Sequence, residues 1–180
     1  NALKKKGVHA KIIIDDSRPT TIKKRYRTSE KNLFRVNIQD QRPISKIIQN
    51  KIFNEFKKTI KQVDLLILSD FNYGCLPKPL VNKILDYVKK IKKKRKIFVV
   101  ADSQSSSQIG DILKFKNADL LSPTEHEARL AMRDSYSGLV ELAVDLLKKT
   151  KSKNLILTLN KDGVLIQTLN RNKFSTDKIP

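Results

Sequence analysis

From Val63 to Val164 the chain alternates short apolar runs with longer segments of helical spacing, and this order limits the fold more than any other feature. Leu65-Leu66-Ile67-Leu68, Ile97-Phe98-Val99-Val100, Ala118-Asp119-Leu120-Leu121 and Leu155-Ile156-Leu157-Thr158 read as strands. Strands apolar on both faces belong in a parallel sheet covered by helices on each side. Each run leads straight into a polar cluster: Asp70 to Gly74, Asp102 to Ser105, Ser122 to Glu127, and Asn160 to Gly163. In open α/β sheets the ligand crevice lies beyond the carboxyl ends of the strands. Four clusters delivered to one edge predict a binding site there, and with it an active site.

The flanking segments fill in the architecture. Asn1 to Gly7 reads as a helix end capped by Gly7, and Val8 to Ile14 alternates in the manner of a strand. Thr20 to Arg27 and Asn32 to Asn37 are two further β-prone runs, with Lys and Arg alternating against Thr, Ile and Tyr as on an edge sheet. Ile44 to Ile60 is an amphipathic helix, apolar at Ile44, Ile48, Ile52, Phe56 and Ile60 and widened by Ile47 and Phe53. Helices are also expected over Pro77 to Ile91, Gln108 to Phe115, Glu125 to Met132 and Gly138 to Lys149. Asp162-Gly163 predicts a hairpin turn into Val164 to Thr168, and Phe174 to Pro180 an extended exit.

At 180 residues one domain is the default. No run approaches the roughly 18 consecutive apolar residues of a membrane span. The start at Asn1 has neither an initiator Met nor a signal-peptide core, so the chain is expected to begin inside something larger or to be trimmed. The single Cys75 excludes a disulfide framework and suits a reducing cytoplasm. The net charge of +20 admits a nucleic-acid or anionic-membrane footprint. Lys far outnumbers Arg, however, and the cations are scattered over nearly every helix, apart from the run Lys89 to Lys96. Compositional bias is therefore the first reading, because phosphate-reading surfaces favour Arg.

Each polar cluster admits two roles. Asp70 to Gly74 can hold a substrate hydroxyl or a magnesium-bound water, or be an ordinary turn. Asp102 to Ser107 can line a ligand wall or cap the next helix. Thr124 and Glu127 form a capping box, and Glu127 at a helix start could orient magnesium through water. His126 reads as a surface residue. Thr158 to Gly163 can hold phosphate with backbone N–H groups, or be only a hairpin. Walker, G-x-G-x-x-G, Ser/His/Asp and zinc patterns are all missing from the sequence.

Five segments in order resemble the ribokinase-like (PfkB) carbohydrate kinases, and within them the sugar-kinase module of ADP-heptose-synthase-type bifunctional proteins. They are Arg18-Pro-Thr-Thr-Ile-Lys-Lys-Arg25, Leu33-Phe-Arg-Val36, Leu68-Ser-Asp-Phe-Asn-Tyr-Gly74, Ser122-Pro-Thr-Glu-His-Glu-Ala128 and Leu157-Thr-Leu-Asn-Lys-Asp-Gly163. The resemblance implies a three-layer α/β/α fold with a mostly parallel sheet and a small antiparallel lid. Residues 8–37 would form the lid and edge strands, and residues 44–180 the core. It implies transfer of the ATP γ-phosphoryl to a sugar or sugar-phosphate hydroxyl with Mg²⁺. Lys23 and Arg25 would reach the substrate from the lid, joined by Asp70, Gly74 and Asp102. Glu127, with Thr124 through water, would organise the metal, and Thr158, Asn160, Lys161 and Gly163 the nucleotide. Lid strands in such kinases often pair two copies into a dimer.

Three departures qualify this. Thr124 stands where the family usually has Asn, and Asn160 where it usually has Gly, although Asn tolerates positive φ. The Gly-Ala-Gly-Asp segment with the catalytic base is absent and is expected after Pro180, as a substrate-binding segment is expected before Asn1. The 180 residues are thus expected to be a central fragment, incomplete at both ends and inactive alone. The alternatives are a kinase-like module that binds nucleotide or sugar without catalysis, and a basic nucleic-acid-binding protein.

Overall fold

The computed structural model describes residues 2–29, 31–105, 110–171 and 173–180. A short helix, α1 (Ala2–Lys5), leads to a two-stranded antiparallel sheet of β1 (Ile22–Arg27) and β2 (Asn32–Ile38). The rest is built on one six-stranded sheet. Its strands are β3 (Leu65–Asp70), β4 (Phe98–Ser103), β5 (Leu120–Leu121), β6 (Asn154–Thr158), β7 (Val164–Asn170) and β8 (Lys173–Ile179), and they lie side by side in chain order. β3 to β6 are parallel, and β7 and β8 are added antiparallel.

Helices α2 (Lys46–Thr59), α3 (Lys78–Ile91), α4 (Glu125–Met132) and α5 (Leu139–Thr150) complete the core. Right-handed crossovers between strands that follow one another in this order carry the connecting helices to the same face. On that face Leu68, Val99, Ala101, Leu121, Leu155 and Leu157 are buried against Val81, Ile84, Leu142 and Leu146. On the opposite face Leu65, Ile67 and Phe98 are exposed. Each side chain of this size gains about 1.5–3 kcal/mol from full burial, so the helix-clad face supplies most of the apolar stabilisation.

Several expectations change. Val8 to Ile14 forms no strand among the described residues; it lies as irregular chain beside α2. Ile47 is 70% exposed, one step off the buried stripe that Ile48 and Phe53 carry. Of the helix expected over Gln108 to Phe115 there is a 3-10 turn at Ile112–Lys114, while Ser106, Ser107, Gln108 and Ile109 lie outside the described residues. Phe174 to Pro180 is no free exit: Lys173–Ile179 is a full strand paired with β7. Its side chains are exposed throughout, so backbone hydrogen bonds, which leave no apolar pattern, hold it in place.

Candidate active site

The parallel strands end in register, with Ser69 opposite Asp102 and Asp70 opposite Ser103. Beyond them lies a cavity of about 320 Å³ lined by Ser69, Asp70, Phe71, Asp102, Gln104, Ser122, Thr124 and Glu127. A larger hollow of about 920 Å³ between Ala10–Ile14 and α2 lies away from this edge and gathers no comparable set of carboxylates.

Glu127 is the organiser. It sits at the start of α4, buried, with one carboxylate oxygen accepting from Ser105 N at 2.6 Å and the other from Thr124 N at 2.8 Å. The Thr124 hydroxyl accepts from Glu127 N at 3.2 Å, closing the capping box. One side chain thus ties the loop after β4 to the start of α4. Thr158 joins from β6: its N–H donates to Pro123 O at 3.1 Å, and it bridges Thr124 in parallel fashion.

Asp70 is buried and paired with the equally buried Lys114, from the 3-10 turn before β5. Its other oxygen accepts from Asn72 N at 3.0 Å, and the Asn72 amide reaches Ser103 Oγ at 3.1 Å. The Asp70 carboxylate is therefore held by the protein's own groups on the cavity wall. Among the described residues Asp102 has no such cation. Burial, reinforced by repulsion from Glu127 and Asp70, pushes its carboxyl above the usual carboxylate range.

The sign of that shift gives an expected outcome. The folded chain holds a proton at Asp102 that the unfolded chain releases, so this group's contribution to stability declines as pH climbs from the ordinary carboxylate value through the raised one. Asp102→Asn is expected to raise the melting temperature at neutral pH and to leave it unchanged in acid. Equal melting temperatures of the two proteins at both pH values would contradict the strained-carboxylate reading.

The remaining predicted residues lie outside the cavity lining. Gly74 adopts φ +75°, and an added Cβ would lie 2.0 Å from Arg42 O. Lys23 stands on β1 with its ammonium 4.9 Å above the Tyr73 ring, so this face of the two-stranded sheet looks onto the Asp70–Gly74 loop. Arg25 lies two residues further along the same face, exposed and opposite Arg35 in register. Asn160 (φ 56°) and Lys161 sit in the 3-10 turn after β6, and Gly163 closes it; none of the three lines the cavity itself. The sequence reading missed Lys114, although a lysine inside Ile112-Leu113-Lys114-Phe115 signals a buried charge that needs a partner. It also gave no role to Arg18, whose guanidinium donates to Arg42 O at 2.8 Å and Tyr73 O at 3.1 Å.

Among the described residues no group of three or more His, Cys, Asp or Glu side chains could hold a metal ion directly. The carboxylates of Asp102 and Glu127, which line one cavity, would suit a hydrated cation held through water.

Comparison with known proteins gives the family and the fold. The chain is 29% identical over 164 residues to the bifunctional protein HldE of a Nitratiruptor species, covering 89% of this chain and 33% of that protein. It is 30% identical over 156 residues to the bifunctional protein HldE of Helicobacter hepaticus, covering 85% and 31%. It spans about a third of the length of these curated relatives. Among solved structures, ribokinase from Giardia lamblia superposes with a TM-score of 0.74 at 14% identity, covering 97% of this chain and 56% of that one. Phosphofructokinase-2 from Escherichia coli in complex with potassium does so with a TM-score of 0.58 at 11% identity, covering 82% and 46%. The fold is thus ribokinase-like, a mostly parallel sheet with helices and a separate antiparallel sheet. The profile of the pfkB family carbohydrate kinases matches residues 1–180, and the chain belongs to that family.

Proposed function

We propose that the protein carrying this chain transfers the γ-phosphoryl of ATP to a hydroxyl of a sugar or sugar phosphate. The observation that supports it most is the meeting of Asp70, Asp102, Thr124 and Glu127 on one cavity at the carboxyl edge of the sheet. The β1–β2 ribbon within residues 8–37 serves as lid and residues 44–180 as core. In this reading Asp102 and the Asp70–Gly74 loop receive the sugar, and Lys23 and Arg25 close over it with charge suited to a phosphate group. Glu127, with Thr124, orients the water shell of Mg²⁺. The turn from Thr158 through Asn160 and Lys161 to Gly163 takes the nucleotide phosphates.

Mg²⁺, when bound, supplies charge neutralisation at the transferred group; the residues described here hold and orient the reactants. The base that takes the hydroxyl proton comes from chain outside these 180 residues, so the segment alone binds without turning over. The cytoplasm is its proposed location. The lid also offers a contact between copies. Ile22 pairs with Ile38 and Tyr26 stacks on Phe34 at 4.3 Å, forming an exposed apolar face turned away from Lys23. A lone two-stranded ribbon is marginal in water, and pairing two such faces would stabilise both.

The test is turnover by the full-length protein with ATP, Mg²⁺ and a panel of sugars and sugar phosphates. Glu127→Gln is expected to lower activity by about 10–100-fold, as loss of a group that orients metal-bound water does. ATP binding with no transfer to any member of the panel would sink the kinase reading in favour of a binding module.

A further inference from the structure

The cations that look scattered in the sequence are sorted by the fold along the strand axis. At the carboxyl edge the connections carry Asp70, Asp102, Asp111, Glu125, Glu127 and Asp162, against Lys78, Lys114 and Lys161 in the same stretches, while Lys23 and Arg25 reach over this edge from the β1–β2 ribbon. At the amino edge the balance reverses. Helices α2, α3 and α5 each lead into a parallel strand, so their C-terminal ends gather there. The end of α2 brings Lys57, Lys58 and Lys61. The end of α3 brings Lys89, Lys90, Lys93, Lys94 and Lys96, and that of α5 brings Lys148, Lys149, Lys151 and Lys153.

Helix dipoles favour cations in a last turn. That accounts for Lys57, Lys58, Lys89, Lys90, Lys148 and Lys149, not for those beyond the helix ends. Four carboxylates at this edge are matched: Asp64 pairs with Arg95 at 2.6 Å, buried Asp119 with Lys92, Glu55 with Lys58 at 2.5 Å and Asp145 with Lys148 at 3.4 Å. Most of the positive charge is therefore left facing outward.

Two grooves shape this end. One, of about 730 Å³, is lined by Asn54, Lys57, Lys58, Lys61 and Tyr87. The other, of about 190 Å³, runs between α3 and the chain before β5, with Lys89, Lys92, Lys116 and Asn117 on its walls beside Asp86. The lysine-rich end of α3 lies between them. Ammonium groups for phosphates, with the amides of Asn54 and Asn117 beside them, suit a sugar-phosphate backbone held without base readout; the Tyr87 ring packs edge-on against Phe53 and Phe56. Among the described residues no element projects from this end to enter a duplex groove, and the scarcity of Arg there leaves base edges unread.

We infer that the amino edge of the sheet binds the backbone of a single-stranded nucleic acid, without sequence preference and apart from the sugar-phosphorylating rim. The inference does not depend on the kinase reading. The test is fluorescence anisotropy of the full-length protein with labelled oligouridylate and oligothymidylate of about 20 nucleotides. Three triple variants serve: K57Q/K58Q/K61Q in the groove, K90Q/K93Q/K94Q at the end of α3, and K4Q/K5Q/K6Q near the N-terminus as a control of equal charge loss. Each of the first two is expected to weaken binding at least about 10-fold at low salt and to flatten the log–log salt slope by about two. The control should do neither. Absence of binding at about 50 mM salt, or equal loss in all three variants, overturns the inference. So does sedimentation with anionic phospholipid vesicles through Lys90, Lys93 and Lys94 when no oligonucleotide binds, which would assign the face to a bilayer.

Discussion

Replacing Lys114 by methionine will cost the folded chain about 3–5 kcal/mol, the usual consequence of removing one partner from a buried ion pair. The side chains of Lys114 and Asp70 are 8% and 2% exposed, so water cannot take the place of the lost ammonium. Domains of this kind are stable by only about 5–15 kcal/mol, and the variant will melt far below the parent or fail to accumulate. The companion measurement keeps the idea testable. Asp70→Asn together with Lys114→Met removes both charges and retains an oxygen for Asn72 N, so the double variant should recover most of the loss. Urea unfolding of the three proteins decides. A single variant within about 0.5 kcal/mol of the parent would show the pair to be incidental.

Gly163→Ala is expected to be nearly as damaging, for a backbone reason. Gly163 holds φ 82° and ψ −137°, close to a region that glycine alone populates, and there it closes the turn from β6 to β7. Its Leu159 partner donates to Gly163 O at 2.8 Å. A methyl group would lie 2.0 Å from Ile179 O and 2.6 Å from the Pro180 carbonyl carbon, so the end of β8 must move as well. The dihedral strain costs about 1–3 kcal/mol before any displacement is counted. Hydrogen exchange should show β7 and β8 opening together, and ATP binding should weaken with them. Protection of those amides at parental levels would mean that the turn has room to spare.

These sites differ in how plainly the sequence announced them. The capping box of Thr124 and Glu127 is a local rule, fixed by a spacing of three, and it was readable without any fold. The four strand runs were readable because apolar side chains on both faces have few other uses. Gly163 was signalled by its place after Asp162. Lys114 was not, because its partner lies 44 residues away and nothing local says which carboxylate a buried lysine will meet. Val8 to Ile14 misled for a related reason: alternation marks a face that wants burial, yet a strand also needs a neighbouring strand, and none pairs with it among the described residues. Lys173–Ile179 shows the converse, a strand defined by its neighbour and invisible to hydropathy. The basic edge follows the same logic, since only topology brings the ends of α2, α3 and α5 together.

The β1–β2 ribbon is rooted on the floor that it overhangs. The chain leaves the body just after Arg18 and returns just after Arg42. The Arg18 guanidinium grips the carbonyls of Arg42 and Tyr73, and Ile44 N donates to Gly74 O at 3.0 Å. Both roots therefore clamp the loop that begins at Asp70. Ribbon and cavity wall thus share one set of moorings, and a substitution at Arg18 would disturb both at once.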